Sequence, residues 1–343
     1  MRIKTYMVSV LLFFSFILAS TVWSQELVKG YYDPENDWFV FEWDRPDYGE
    51  TITIDDPPNK VNPIIKAKSI FDTETRDYIY IYEITNQTGA KQPLYDIVIE
   101  YLTPIYDAKA PSKEWYMARY RGRDAWHWAK TRGDIHGIAA GQKERGFSFK
   151  SKGLPAIVDS ILLGHERTEY SPPGDFDTED IIASFSRVRK EIKEQYKDKF
   201  GSIVRKTVGP AAPPADFKPI AFLDYIISLK HEAYDLGWIV QGRDDDKGKK
   251  EDEEKGIIKS LDKKLEKAKA ELVKGDTREA IEKLKSFIHE VEALYKKDKE
   301  EKHKKEEGHS HITSEAYALL KYNTIYLIEQ LGGEWKDKND KKD

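Results

Sequence analysis

Near residue 178 the hydrophobic period of this chain changes from two to between three and four, so a chain of this kind must build sheet first and helix afterwards. From about 30 to 175 the apolar runs are short, β-rich and bounded by Pro, Gly, Asn and Asp. Examples are Trp38-Phe39-Val40-Phe41, Thr51-Ile52-Thr53-Ile54, Asp96-Ile97-Val98-Ile99 and Gly146-Phe147-Ser148-Phe149. Runs of this length with turn residues between them predict an antiparallel β-sandwich of immunoglobulin-like type. Between Asp77 and Thr85, Tyr78, Tyr80, Tyr82 and Ile84 share one face while Ile79, Ile81 and Glu83 share the other. A strand apolar on both faces belongs inside a sheet.

Beyond the switch, Thr178 is placed to cap a helix carrying Ile181, Ile182, Phe185, Val188, Ile192 and Tyr196 at helical spacing. Gly209-Pro210-Ala211-Ala212-Pro213-Pro214-Ala215 reads as a stiff linker, and a second helix is expected over 219–236, with Pro219 in its first turn and Gly237 after its last. Of the final 103 residues 51 are charged, against 66 of the preceding 240. Such a segment folds only by gathering its apolar residues into stripes. It has three: Ile257, Ile258, Leu261, Leu265, Ala268 and Leu272, closed by Gly275; Ala280, Ile281, Leu284, Phe287, Ile288, Val291 and Leu294, opened by Asp276 with Glu279 three residues on; and Ala316, Leu319, Leu320, Asn323, Leu327 and Leu331, opened at Thr313. Three stripes predict a three-helix bundle.

The compartment is written at the N-terminus. Arg2 and Lys4 precede the apolar run Val8 to Ala19, and Val22-Trp23-Ser24 follows, the layout of a secretory signal peptide cut after Ser24. The run is shorter than the ~20 residues of a spanning helix. The chain has no cysteine, which excludes disulfides, Cys-based zinc and iron-sulfur sites and thiol nucleophiles, and suits a bacterial periplasmic or extracellular protein. A net charge of -5 argues against nucleic acid as the main partner.

Two stretches carry a likeness. Ser260-Leu261-x-x-Lys264-Leu265-x-x-Ala268, Leu272-x-x-Gly275-Asp276, Ala280-Ile281-x-x-Leu284-x-x-Phe287-Ile288-x-x-Val291-x-Ala293 and Ile312-x-x-x-Ala316 resemble the FIMAH domain of bacterial extracellular proteins over 256–331. The chain departs from that pattern in a charged insertion over 296–310. Ile138-x-x-Gly141 through Gly153-Leu154-Pro155, with Tyr82-Glu83-Ile84-Thr85-Asn86 upstream, is similar to a secreted β-sandwich module of unassigned function. The resemblance implies accessory or adhesive modules rather than enzymes, and carries no catalytic residue across.

The expected organisation is a signal peptide at 1–24, a β-sandwich domain at 25–175, a helical connector at 176–240 containing the linker 209–215, a FIMAH-like bundle at 241–335 and a charged tail at 336–343. Candidate ligand-binding residues are Trp115, Arg119, Arg121, Trp126, His127 and Trp128, because interleaved indole and guanidinium groups can stack on sugars or grip acids. The same residues more simply fill the core of a sandwich and salt-bridge its rim. His303, His309 and His311 are weak metal candidates, and His231-Glu232-x-x-Asp235 begins like a zinc-protease helix but has Asp where the second His belongs. No phosphate-binding, dinucleotide or nucleophile-elbow motif appears, and no cofactor is expected. The expected function is non-catalytic recognition, attachment or a structural role at or outside the cell envelope, with an extracellular glycan or envelope protein as partner. The rival is a secreted glycan hydrolase using acids such as Asp124 and Asp134, whose carboxyls would have to stand roughly 5 to 10 Å apart.

Overall fold

The computed structural model describes residues 27–45, 50–56, 59–120, 124–130, 137–164, 173–174, 177–197, 199, 203–239, 250–301 and 311–336. The expected signal peptide and nearly all of the charged tail lie outside them. The chain forms mixed β and α structure, with three mostly antiparallel sheets and five helices among the described residues, divided into two compact units.

The first unit joins segments far apart in sequence. Strands β1 (Val28–Asp33), β2 (Trp38–Arg45) and β3 (Glu50–Asp56) form an antiparallel sheet in that order, and helix α1 (Glu179–Gln195) packs on it. Alternation puts Phe39, Phe41 and Trp43 on one face of β2, where they meet the stripe Ile181, Phe185, Val188 and Ile192. The Phe185 ring lies 5.1 Å from Phe41 and 5.9 Å from Trp43. Gly30 permits this approach, since a Cβ there would stand 2.5 Å from side-chain carbons of both Val188 and Ile192. Thr178 caps α1 as expected, its hydroxyl accepting from the Ile181 N–H at 3.3 Å. One residue earlier, Asp177 accepts from Trp43 Nε1 at 2.8 Å and from Arg45 Nε and Nη2 at 2.8 and 2.7 Å. This unit corrects two expected boundaries. The first three strands do not belong with the later sheets, and α1 is a core element rather than a connector.

The second unit comprises 59–165 and 202–343. Strands β4 (Pro63–Asp72), β5 (Asp77–Asn86), β6 (Leu94–Glu100), β7 (Ile105–Lys109), β8 (Trp115–Arg119), β9 (Ala125–Lys130), β10 (Lys143–Ser151), β11 (Leu154–Gly164) and β12 (Ile203–Ala211) make a four-stranded sheet, β4-β5-β10-β7, and a five-stranded one, β12-β11-β6-β9-β8. Strand β5 is interior, and its buried face is the expected one, Tyr78, Tyr80, Tyr82 and Ile84. The two sheets meet through it. Tyr80 donates its hydroxyl to Gly153 O at 2.8 Å, Tyr82 donates to Val208 O at 2.9 Å, and Trp128 of β9 stacks on Phe149 of β10. Burial raises the hydroxyl pKa of both tyrosines well above the ordinary value, so both remain donors.

Part of the expected linker is strand. Pro155 pairs with Pro210 and Ala156 with Gly209 across β11 and β12. Strand β12 is an edge, so Pro210 gives up no ladder bond, and a Cβ on Gly209 would come within 2.7 Å of Val158. Four helices complete the unit: α2 (Pro219–Asp235), α3 (Lys250–Lys274), α4 (Thr277–Glu301) and α5 (Ser314–Gln330). Asp276 and Thr313 cap α4 and α5, and Gly275 adopts positive φ between α3 and α4. Helix α2, expected in the connector, instead packs against α3 and α5, so the helical layer contains four helices. It is also no separate domain, because α5 packs on β4, β11 and β12 and one apolar core runs through sheets and helices alike.

The Asp177 cluster makes the first unit acid-sensitive in a defined window. The Arg45 guanidinium, with further bonds from Gly174 and Trp43, lowers the Asp177 pKa from 3.8 to about 2, against the opposing cost of burial. A depressed carboxyl stabilises the fold fully above its unfolded pKa and loses that effect as pH falls through the folded one. In thermal melts followed by circular dichroism, Asp177→Asn should melt lower than the parent at pH 7, and the gap should close between about pH 4 and 2. A gap that stays constant down to pH 2 would contradict this role.

Candidate functional site

The predicted aromatic and arginine stretch divides between core and rim. Trp115 and Trp128 are buried: the Trp115 ring stands 4.8 Å from Phe147, edge to face, and its Nε1 donates to Glu144 at 2.8 Å. Trp128 is closed in by Tyr82, Phe147 and Phe149, with Nε1 donating to Lys109 O at 3.0 Å. Trp126 is partly buried on the same face of β9, and its Nε1 has no hydrogen-bond partner among the described residues. His127 turns to the opposite face, 3.4 Å from Asp96 and edge-on to Tyr120. Arg119 is exposed opposite Trp126, whereas Arg121 lies outside the described residues. Alternation puts Trp126 and Trp128 on one face of the strand, but only the second sheet determines that this face is inward. A stacking platform using Trp115 and Trp128 is therefore excluded by their burial.

Other candidates scatter. His303, His309 and Asp134 lie outside the described residues, and His311 stands at the start of the α5 segment. His231 leans from α2 toward Asp262 of α3, with Nε2 3.6 Å from Oδ1, and its pKa is lowered first by burial and then by the Lys230 charge. No three His, Cys, Asp or Glu side chains gather into a metal-holding group among the described residues.

A concave site does form where β11, β12, α2 and α5 converge. It encloses about 290 Å³. Leu154 opens β11 and Ala211 closes β12, putting both on one side; the chain then runs through Ala212, Pro213 and Pro214 before α2 supplies Ala221, Phe222 and Tyr225 opposite. Two fixed proline rings and helix-borne aromatics make the walls apolar and stiff. Phe222 is anchored from behind by Phe217 and Tyr326, at 5.6 and 5.3 Å between ring centroids. Tyr225 is partly exposed, and burial raises its hydroxyl pKa. Asp216 and Lys218 also line the cleft, paired with each other at 2.9 Å and open to solvent.

Asn323 of α5 is the polar residue of the cleft with no exposure at all. Its Nδ2 donates to Pro155 O on β11 and to Leu319 O one helical turn back, both at 2.8 Å. Those two bonds use both amide hydrogens and fix the amide's orientation, leaving Oδ1 buried with no donor among the described residues. The sequence did hold a signal for this residue, the single amide in the apolar stripe of α5. Its cleft partners come from 154, 211–214 and 221–225, which no spacing rule connects.

No family model matches this chain, and no curated protein matches it significantly.

The burial of Trp128 sets an expectation for mutants. Trp128→Ala should cost about 3 to 5 kcal/mol of stability as a core truncation, and Trp126→Ala, at the partly covered edge, clearly less. Denaturant melts of the two variants check this. Equal losses would show that Trp128 does not occupy the core position described.

Proposed function

We propose that this chain is an exported, non-catalytic recognition or attachment protein acting at or outside a bacterial cell envelope, and that it holds its ligand in the Asn323 cleft. The observation that carries the reading is the cleft itself, a concave site of about 290 Å³ with stiff, mostly apolar walls, the composition of a small-ligand site. Leu154 and Phe222 anchor it to one continuous core, and Pro213 and Pro214 stiffen the loop that forms the wall between β12 and α2. Export rests on the signal-peptide pattern of 1–24, and the absence of cysteine fits it. We read the two facing sheets as a sandwich of immunoglobulin-like type and α3 to α5 as a FIMAH-like bundle, extended here by α2. In this reading the helical layer is one wall of the binding site, where an accessory or adhesive module would make its contact.

The test is a fragment screen by protein-observed NMR on the mature chain from Gln25, beside Ala221→Leu. Ala221 is exposed in the first turn of α2, so leucine there keeps the helix and fills the cleft. Saturable binders should emerge whose affinity drops at least about tenfold in the variant while its melting temperature stays put. Binders indifferent to the variant, or none at all, would overturn the reading.

A further inference from the structure

We infer that the outer face of the four-stranded sheet β4-β5-β10-β7 docks this protein on an anionic lipid surface. The face shares no residue with the lining of the cleft, so the inference does not depend on a ligand there. Alternation turns Tyr78, Tyr80, Tyr82 and Ile84 of β5 into the core, so Asp77, Ile79, Ile81 and Glu83 project from the other side. The strand registers place Lys66, Lys68 and Ile70 of β4 beside Glu83, Ile81 and Ile79, and Arg145, Ser148 and Lys150 of β10 beside the same three residues. Tyr106 and Lys109 of β7 extend this face past β10. Ile70, Ile79 and Ile81 are partly exposed and belong to no core cluster, and Ile64, at the start of β4, is 39% exposed.

The charge on this face runs against that of the chain. Seven cations stand there beside four carboxylates, although the whole sequence carries a net charge of -5. Each carboxylate is already engaged. Glu83 pairs with Arg145 and Lys143, Asp107 with Lys150 at 3.3 Å and Lys109 at 3.7 Å, and Asp77 with Lys152 at 2.5 Å and the Tyr106 hydroxyl. Asp72 accepts the N–H groups of Glu74 and Thr75 in its own turn. Lys66 and Lys68 are exposed and make no ion pair among the described residues. Two residues apart on one strand, they stand roughly 7 Å from each other, so the unengaged charge is positive and local.

Charge alone would suit any acidic polymer, and the isoleucines separate the cases. Ile70, Ile79 and Ile81 are neighbours, with Lys68 beside Ile81 on one flank and Lys150 beside Ile79 on the other. A hydrated polyanion covers none of this apolar strip. A bilayer interface meets both demands: lysine stems lie along apolar surface with their ammonium groups at the lipid phosphates, while isoleucine and a rim tyrosine settle at headgroup depth. Tyr106, 42% exposed at the β7 rim, is placed for that role.

Co-sedimentation of the mature chain with vesicles tests this. Phosphatidylcholine vesicles containing about 30% phosphatidylglycerol should bind it saturably at about 0.05 M salt and release it at about 0.5 M, and phosphatidylcholine alone should not bind it. The double variant Lys66→Gln, Lys68→Gln should bind at least about tenfold more weakly with its melting temperature unchanged. The same loss of charge at two exposed lysines of α3, Lys259→Gln with Lys263→Gln, should change binding by less than about twofold. Ile64→Ser leaves the charge alone and should weaken vesicle binding at least about threefold. Ala221→Leu should bind vesicles like the parent, which keeps this result separate from that of the cleft. Absence of binding to the anionic vesicles, or equal binding to the neutral ones, would overturn the inference. Equal losses in the two lysine pairs would overturn the assignment to this face. Soluble polyglutamate bound as tightly as the vesicles, with Ile64→Ser without effect on either, would show an acidic polymer to be the partner and overturn the lipid surface.

Discussion

Helix α5 is held to two sheets at once by buried polar groups, and the form of the larger unit depends on that seam. Glu315 accepts the Ala67 N–H of β4 at 2.5 Å, Tyr322 donates to Ser69 O of the same strand at 3.3 Å, and Asn323 donates to Pro155 O of β11 at 2.8 Å. A net hydrogen bond is worth only about 1 kcal/mol, but a buried partner left alone costs roughly 1 to 3, so each of these penalises displacement of the helix. Apolar contact adds area on the same line, with Tyr322 packed between Phe71 and Tyr78. Helix α2 packs against α5 and α3, and the cleft is the space left between α2, α5, the β11 and β12 ends and the two prolines.

The same seam fixes the orientation of the Asn323 amide. Asn323 stabilises the junction through its two hydrogens, which requires its oxygen to face away from both bonded carbonyls. An apolar residue at 323 would leave the Pro155 carbonyl without that donor, so the position meets a structural demand. The smaller unit solves a comparable problem with charge. Asp177, its side chain covered, collects Trp43 and Arg45 from β2 just where α1 begins, and so ties a helix to a strand about 130 residues earlier.

Elements were legible in the sequence where the signal is local. Thr178, Asp276 and Thr313 cap helices as their side chains suggest, Gly237 and Gly275 take positive φ at helix ends, and Tyr78, Tyr80, Tyr82 and Ile84 turn inward together. Partners were not legible. The stripe of α1 and the odd face of β2 each advertise a need for apolar cover, but nothing in their spacing says that they cover each other. Gly209 and Pro210 carry linker composition, yet they pair with Ala156 and Pro155 as part of an edge strand, where Val158 and Glu100 leave no room for a side chain at 209. Trp115 and Trp128 differ from a binding surface only in which way their strand faces, a property of the opposing sheet. The cleft was invisible for the same reason, although the lone amide of the α5 stripe was in plain view.

The helical layer and the two sheets of the larger unit share one apolar core, so they should unfold as one cooperative structure and not as two modules joined by a linker. Native-state hydrogen exchange on the full mature chain, read residue by residue in rising denaturant, distinguishes the two. Buried amides of β5, β11 and α5 should merge into a single opening reaction with one free energy and one denaturant dependence. Exchange of the α5 amides through a separate, lower-energy opening while β5 and β11 stay protected would contradict the shared core, and with it the preorganised cleft.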